Sequence, residues 1–529
     1  MFVPLTPIRF LHRAVDLFGS KPGVISGDLT FTYAEFGDRV GRLATGLRKL
    51  GVAPGDRVAY LSFNTHQLLE GYFAVPQAKA IVMPLNVRLS VPELVAILNH
   101  SGARVLFFEN DFAATVLTLR TECPAIEKFI TLDSATPAAD LTSEEVIALG
   151  EPERADIFSY DETSIAELFY TSGSTGTPKG VALAHRTLYL HAYSGATLFR
   201  NPEAMVDLHT IPLFHANGWG RPQSSTMLGV TQVMVRRFDP VFVCGLVAKH
   251  RATHMCLVPT MANAMINFPD LAKYDLSSLQ QVTIGGAANS PELVARVEAA
   301  LGCECLSGYG LTETSPILTT SRHKGTIAYA DEQDRRRHQA MAGWPAPGVE
   351  VRVVNLDMQD VPRDMQSIGE VIARGDHIME GYFKEPEQTA AVMTDGWFHT
   401  GDMAVWDDES YIHIVDRKKE IIISGGENIS SIEVEKAIFA HPAVFECAVV
   451  AAPDPQWGEV PAAIVVTKPD QTLGEEELLV FLRQRLGKFK IPRIVRLQTD
   501  PLPKTGTGKI RKMVLKEQFW AGKEKRVQG

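Results

Sequence analysis

The sequence predicts an α/β protein: a large amino-terminal part built on stacked, mostly parallel sheets flanked by helices, followed by a small α+β domain. Three observations carry this prediction. Strand-like and helix-like patterns alternate from Thr30 to Asn86, the same alternation returns between Ser290 and Leu306, and the pattern restarts as a compact unit beyond Asp416. Such alternation marks βαβ units and therefore parallel sheets. At 529 residues the chain also exceeds the roughly 250 to 300 residues that a single hydrophobic core can serve. More than one folding unit is expected, and the restart divides the chain into residues 1–416 and 417–529.

The elements follow in chain order. Met1 to Gly19 reads as a short amphipathic helix, because Arg9, His12, Arg13 and Asp16 interrupt the apolar run that a secretory signal needs. A helix carrying Leu43, Leu47 and Leu50 ends at Gly51, and Val58 to Phe63 reads as a buried strand. A second helix through Leu68, Leu69 and Phe73 leads to a strand from Ala80 to Leu85. Further on, Ser290 caps a helix, Pro291 takes its first position, Leu293, Val297 and Leu301 line one face, and Gly302 stops it before a short strand from Cys303 to Leu306. Residues 134–164 and 320–345 are polar or rich in Pro, Gly and charge and read as surface connections, with the run Asp334, Arg335, Arg336, Arg337 as a solvated face. Beyond Asp416 a helix follows Ser430 and Ser431 and carries Ile432 and Ile438; Cys447 to Ala451 and Ala462 to Val466 read as strands and Glu475 to Leu486 as a second helix. No internal repeat or low-complexity tract is present.

Composition narrows the function classes. Lys plus Arg total 52 against 62 for Asp plus Glu, and a net charge of -10 gives no general attraction to nucleic acid or to an anionic membrane. The six cysteines form no CxxC pair, so neither a disulfide framework nor a zinc site is indicated, and a cytoplasmic location fits best. No stretch reaches the roughly 18 uninterrupted apolar residues of a membrane span, so any membrane association is peripheral.

The most informative segment is Tyr170 to Gly180. It places Gly173, Gly176 and Gly180 among the hydroxyls of Thr171, Ser172, Ser174 and Thr175 and adds Lys179. Glycines let backbone N–H groups approach phosphate oxygens, hydroxyls donate further bonds, and lysine supplies a compact cation, so the segment suits a polyphosphate. A flexible turn has the same composition. The Walker A pattern fails here and again at Gly506 to Ile510, where Ile510 stands in place of the magnesium-binding hydroxyl. No GxGxxG follows a predicted strand, which disfavours a nicotinamide dehydrogenase.

This segment resembles the phosphate-binding signature of the adenylate-forming superfamily, which includes acyl-CoA synthetases, firefly luciferase and the adenylation domains of peptide synthetases. Eight further blocks match in the family's order: Phe214 to Trp219, Gly285 to Ala288, Tyr309 to Glu313, Gly369-Glu370, Trp397 to Asp402, Asp416 to Glu420, Gly425 to Asn428, and Pro503 to Lys509. The resemblance covers nearly the whole chain and implies a β-barrel-like subdomain in the larger part and a mobile small domain. It also implies a reaction in two halves. A carboxylate attacks the α-phosphorus of ATP to give an acyl-adenylate and pyrophosphate; a thiol, that of coenzyme A, then displaces AMP.

The resemblance assigns roles residue by residue. Thr171, Ser172, Gly173, Ser174, Thr175, Gly176 and Lys179 would hold the phosphates; Lys509 would bridge carboxylate and phosphate during adenylation. Glu313 resembles the Mg2+ ligand, a hard carboxylate for a hard cation, and Thr312 an α-phosphate donor. Tyr309 would cover one face of adenine, Gly310 would contact both the nucleotide and the acid substrate, and Gly286, Ala287 and Ala288 would border the base. Asp402 would accept the ribose hydroxyls and Arg417 would help hold the sugar. Lys419 falls on the hinge about which the small domain swings, bringing either Lys509 to the phosphates or the Gly425, Gly426, Glu427 loop to a thiol tunnel. His215 resembles a histidine beside the reacting carboxylate, and Trp219 an aromatic gate to an acyl tunnel.

No acid appears where amino-acid-activating relatives hold an ammonium group; Ile211, Pro212, Leu213 and Phe214 stand there instead, which favours an apolar carboxylic acid. Gly218 to Leu228 reads as a wall of the acyl site whose small side chains leave room for methylenes. Two departures from the family pattern bear on acyl size and coenzyme contact: Ala184 replaces the usual threonine before His185, and Glu427-Asn428 follow Gly426 where a tyrosine is common. The expectation is an ATP-dependent fatty acid–CoA ligase favouring medium chains. Long-chain, aryl or methylthio-propionic acids, loading of a carrier protein, a nucleotide-binding regulator without turnover, and a homodimer stay open at this point.

Overall fold

The computed structural model describes residues 2–171, 178–199, 201–418, 420–424, 427–468, 471–504 and 510–521. Its architecture is α/β, a large amino-terminal part of mixed sheets with helices and a small carboxyl-terminal domain. The chain divides into two compact units, one of Met1–Val351, Ala373–His399 and Glu409–Ile412, the other of Arg352–Ile372, Thr400–Asp408 and His413–Gly529.

Among the described residues the first unit holds an eight-stranded and a nine-stranded sheet. In the former, Ile165–Thr171, Ile81–Pro84, Arg57–Leu61, Val105–Phe108, Lys128–Thr131 and Leu141–Thr142 run parallel, while Lys179–Ala184 and then Gly381–Tyr382 add antiparallel at one end. In the latter, the parallel strands Glu304–Gly310, Gln281–Ile284, His254–Leu257, Val206–His209, Thr231–Met234 and Pro22–Ser26 are flanked by antiparallel ones. Parallel strands need both faces covered, and the packing shows it. Val58 and Tyr60 enter one core with Leu69 and Phe73, while Ala59 and Leu61 enter another with Ile97 and Leu98.

Helix ends follow the local chemistry. Thr32 and Glu35 form a reciprocal capping box at the start of the helix Tyr33–Lys49. Ser290 Oγ accepts from the backbone N–H of Leu293 at 3.1 Å to open the helix Pro291–Leu301, a cap that contributes about 1 kcal/mol. Gly302 closes that helix at φ +66°, in the left-handed region that costs a side-chain-bearing residue energy.

Two segments read as surface connections carry structure. Within 134–164, Thr142 and Glu145 cap the helix Ser143–Leu149, which buries Val146 and Ile147. Within 320–345, the helix Glu332–Ala340 starts on Asp331, whose side chain accepts from Asp334 N. That helix escapes a hydrophobic-period search because it buries only Gln339 and Ala340. Its support is local: Arg335 and Arg336 pair with Glu332 at 2.6 and 3.0 Å, and Arg337 with Asp334 at 2.6 Å. The arginine run is accordingly a solvated face. The strand read as Cys303 to Leu306 extends to Gly310.

Residues 349–417 contribute a five-stranded sheet from Val349–Val354, Gly369–Gly375, Trp397–Trp406, Met393–Thr394 and Ile412–Arg417. In the small domain, Val444–Asp454 and Gly458–Thr467 form a long hairpin, and Ile494–Gln498 lies parallel to the second strand. Cys447, Val449 and Ala451 pack under the helices Ser431–Phe439 and Glu475–Arg483, while Ala448, Val450 and Ala452 pack with Leu502 and Leu515, the latter from the helix Lys512–Trp520. Among the described residues all six cysteines are buried and free, and no described helix is long and apolar enough to cross a membrane.

Burial leaves several imidazoles hard to protonate. It pushes His66, His185 and His377 down to about 4. In the unfolded chain these groups titrate at about 6.5, so their neutral state supports the fold above that pH, and the support is lost as pH falls toward 4 because only the unfolded chain takes up the protons. Glu167, raised by burial, acts in the opposite sense. We expect the urea midpoint to fall from pH 7 to pH 4.5, and His185→Gln, which can keep the bond to the Thr6 hydroxyl (2.9 Å), to make that fall shallower. An unchanged slope would contradict this account.

Candidate functional site

The parallel part of the eight-stranded sheet ends in a turn of special register. Ile165–Thr171 and Lys179–Ala184 pair antiparallel with Thr171 opposite Lys179, so the glycine-rich segment is closed at its base by two of its own predicted ligands. Ser172, Gly173, Ser174, Thr175 and Gly176 lie outside the described residues. Next to the returning strand comes Gly381–Tyr382, with Tyr382 opposite Val181.

Tyr382 connects this turn to a second predicted group. The Lys179 ammonium lies 4.6 Å from the Tyr382 ring centroid, a cation–π contact, and the Tyr382 hydroxyl donates to Glu313 Oε1 at 2.9 Å. Burial and the neighbouring Glu313 carboxylate push the phenol's pKa up, so it stays a donor. Glu313 occupies the short 3-10 turn Thr312–Thr314 directly after the strand Glu304–Gly310, which carries Tyr309 and Gly310. Its carbonyl accepts from Met379 N at 2.8 Å. Gly310 is required sterically, since a Cβ there would sit 1.7 Å from the Pro316 carbonyl oxygen. Thr312 is buried, Tyr309 and Glu313 half-buried. A half-buried, hydrogen-bonded carboxylate fits a hard divalent cation that takes its remaining ligands from phosphate and water.

Gly285 to Ala288 follow the strand Gln281–Ile284, so this block and the Tyr309–Glu313 block both leave the carboxyl ends of parallel strands, the customary ligand edge of such sheets. Gly286, at φ +77°, Ala287 and Ala288 are exposed. Trp219 packs against this backbone: a Cβ on Gly285 would stand 3.0 Å from its Cη2 and 2.8 Å from the Gly308 carbonyl oxygen. The indole is buried with Ile211, Cys256 and Val258. It arrives through an unusual turn in which Ala216, Asn217, Gly218, Trp219 and Gly220 all have positive φ, between +45° and +71°. His215, just before the turn, is exposed.

The expected small-residue wall from Gly218 to Leu228 is more polar and more filled than the sequence reading supposed. Arg221 to Met227, in the helix Arg221–Leu228, are all buried. Arg221 makes a two-point contact with Asp207 at 2.8 and 2.6 Å, and Ser225 Oγ donates to the same carboxylate at 3.0 Å. Burial works against the Asp207 charge, yet Arg221 holds its carboxyl below the ordinary range. Gln223 donates to Glu167 at 2.6 Å, and burial raises that carboxyl well above the ordinary range. These side chains tie helix to strands.

The second unit contains both residues assigned to the ribose. Arg417 Nε lies 2.8 Å from Asp402 Oδ1, with Asp402 buried and Arg417 half-exposed. The strands that carry them are neighbours. Asp402 N donates to Thr400 Oγ1 at 3.1 Å, and that hydroxyl donates to the Val371 carbonyl at 2.7 Å. The Gly369-Glu370 block, which had no role at the sequence level, supports this pair: Glu370 accepts from Gly401 N at 3.2 Å and from Lys418 Nζ at 2.9 Å. Lys419, Gly425, Gly426 and Lys509 lie outside the described residues, and Glu427 opens the strand Glu427–Ile429. The chain before and after the Lys509 block is joined by the Lys504–Ile510 bridge and by Arg511 N donating to Pro503 O at 2.8 Å. Sequence reasoning missed Tyr382 and, though it singled out Glu370 with its block, gave that residue no role; Tyr382 belongs to no phosphate motif, and only its strand pairing brings it in.

The chain is similar to known proteins over nearly its whole length. The family model described as "AMP-binding enzyme" matches residues 11–383 and that described as "AMP-binding enzyme C-terminal domain" matches 433–509. A long-chain-fatty-acid–CoA ligase of Thermus thermophilus is 39% identical over 96% of this chain and 95% of its own length. The 4-hydroxybutyrate–CoA ligase 2 of Metallosphaera sedula is 34% identical over 97% and 94%. Among solved structures, ATP-bound MatB from Rhodopseudomonas palustris superposes with a TM-score of 0.83 at 27% identity, covering 97% of this chain and 99% of that one. The o-succinylbenzoate CoA synthetase of Bacillus subtilis, in complex with its acyl-adenylate, gives 0.82 at 26%, covering 97% and 98%.

The Trp219 platform yields a direct test. Gly285→Ala should lower the urea unfolding free energy by about 1–3 kcal/mol, the usual cost of overpacking. Trp219→Phe should not restore it, because the closest obstacle is the Gly308 carbonyl.

Proposed function

Because the chain belongs to the AMP-binding enzyme family and is an acid–CoA ligase of the adenylate-forming superfamily, we propose that it converts a fatty acid, ATP and coenzyme A to acyl-CoA, AMP and pyrophosphate in the cytoplasm, with medium-chain acids favoured. The observation that supports this reading is the Lys179–Tyr382–Glu313 connection, in which one phenol touches both a cation and a carboxylate suited to phosphate and metal.

Adenylation brings a carboxylate to an already anionic phosphate, so the site's task is to supply positive charge and fix the line of attack. Thr171 and Lys179 hold the phosphate chain from the sheet edge. Glu313 would hold Mg2+, which would supply charge neutralisation at the nucleotide oxygens, and Tyr382 keeps that carboxylate oriented. Tyr309, with Gly286, Ala287 and Ala288, borders adenine, and Asp402 and Arg417 take the ribose. His215 stands by the acid and Trp219 gates its entry. Lys509 arrives on the small domain of residues 417–529, which rotates at Lys419 against residues 1–416. The other pose brings the Gly425, Gly426, Glu427 loop to the coenzyme thiol. Each methylene buried in an acyl pocket adds up to roughly 0.8 kcal/mol, so acid preference rises with length until the pocket ends.

Pyrophosphate release with acids of graded length identifies the acid, and a longer optimum would move the reading toward the long-chain ligase it resembles. Transfer to free coenzyme A against transfer to a holo carrier protein separates the ligase from a carrier-loading enzyme. Lys509→Ala should slow adenylation by about 100-fold or more while thioester formation from supplied acyl-adenylate changes only a few-fold; equal loss of both would refute the domain swing. Tyr382→Phe should weaken magnesium ATP several-fold, as expected for losing a hydrogen bond of about 0.5–1.5 kcal/mol, with the melting midpoint little changed.

A further inference from the structure

Lys512 opens the helix Lys512–Trp520, three residues beyond Lys509. Its side chain is 15% exposed, and its ammonium lies 2.9 Å from Glu435 Oε1 and 3.3 Å from Glu420 Oε2 and donates to Ser431 Oγ at 2.7 Å. Asp416 is buried in the field of the same ammonium. It accepts from the backbone N–H of Ser431, the first residue of the helix Ser431–Phe439, where a carboxylate also meets the favourable end of the helix dipole. Ser430, which caps that helix, donates its hydroxyl to the Val415 carbonyl.

The chain on both sides of Lys419 is thus tied to one helix terminus, but the two sets of ties differ. Glu420, Ser431, Glu435 and Lys512 all follow Lys419 and move as a body. Val415 and Asp416 precede it. Turning the backbone at Lys419 keeps the first set and breaks the second: the Asp416–Ser431 bond, the Val415–Ser430 bond and the attraction between Asp416 and Lys512.

We infer that Asp416 and Lys512 are positioning residues that form an electrostatic latch across the hinge, holding the small domain in one of its two working poses until the bonds to Asp416 and Val415 break. This rests on the domain swing proposed above.

The test compares two rates in the full-length protein: acid-dependent ATP–pyrophosphate exchange, and thioester formation from supplied acyl-adenylate and coenzyme A. Removing a latch shifts the population toward the other pose, so Asp416→Asn and Lys512→Met should each change the ratio of the two rates in the same direction. The change should be about fivefold or more, the low end of couplings between two states. Lys512→Arg, which keeps the cation, should return the ratio toward that of the unaltered protein. Lys512→Met strands buried carboxylates and can lower stability, whereas Asp416→Asn keeps both shape and acceptor oxygen, so it decides the matter if the former fails to fold. A common fall of both rates, or no change in their ratio, overturns the latch. Failure of the underlying swing has a different signature: Lys509→Ala keeping adenylation, or no exchange with any acid in the unaltered protein.

Discussion

The constraint on which the candidate site depends is a change of direction in one sheet. Parallel strands deliver their carboxyl ends to one edge, but a parallel partner for Ile165–Thr171 would have to return through a long crossover. Here the next strand returns directly and antiparallel, with Thr171 facing Lys179. This closes a short loop at the ligand edge and exposes one further sheet position, which Gly381–Tyr382 fills. Without that position Tyr382 would not lie between Lys179 and Glu313, and the two charges would be independent features of the surface.

Much of this was legible in the sequence, and for physical reasons. Helices with an apolar stripe and a polar cap, such as Pro291–Leu301 with Ser290 and Gly302, declare both their ends. Motif order implied the family, and Asp402 and Arg417, both assigned to the sugar by that resemblance, lie 2.8 Å apart. What stayed hidden has no periodicity. The helix Glu332–Ala340 is held by charge pairs instead of a buried face, and Glu370 and Tyr382 act through tertiary partners far away in the chain. The buried contacts of the segment from Gly218 to Leu228 stayed hidden for a related reason. Small polar residues read equally well as cavity lining and as buried hydrogen-bonding groups, and only the acceptors on Asp207 and Glu167 decide between them.

Those buried polar contacts also describe how the helix Arg221–Leu228 is fixed. A two-point arginine–carboxylate contact is directional, and removing one partner would leave an uncompensated buried charge. The network therefore specifies the position of the helix more than it adds net stability, and the Trp219 turn that precedes the helix inherits that position.

The turn itself has a consequence for substitution. Five consecutive residues in the left-handed region form a backbone that glycine and asparagine enter readily and that other residues enter at a cost. Ala216 and Trp219 carry that cost in this fold, so exchanging Gly218 or Gly220 for a residue with a side chain would add to it, and a Cβ at those positions would also meet Leu213 or His191.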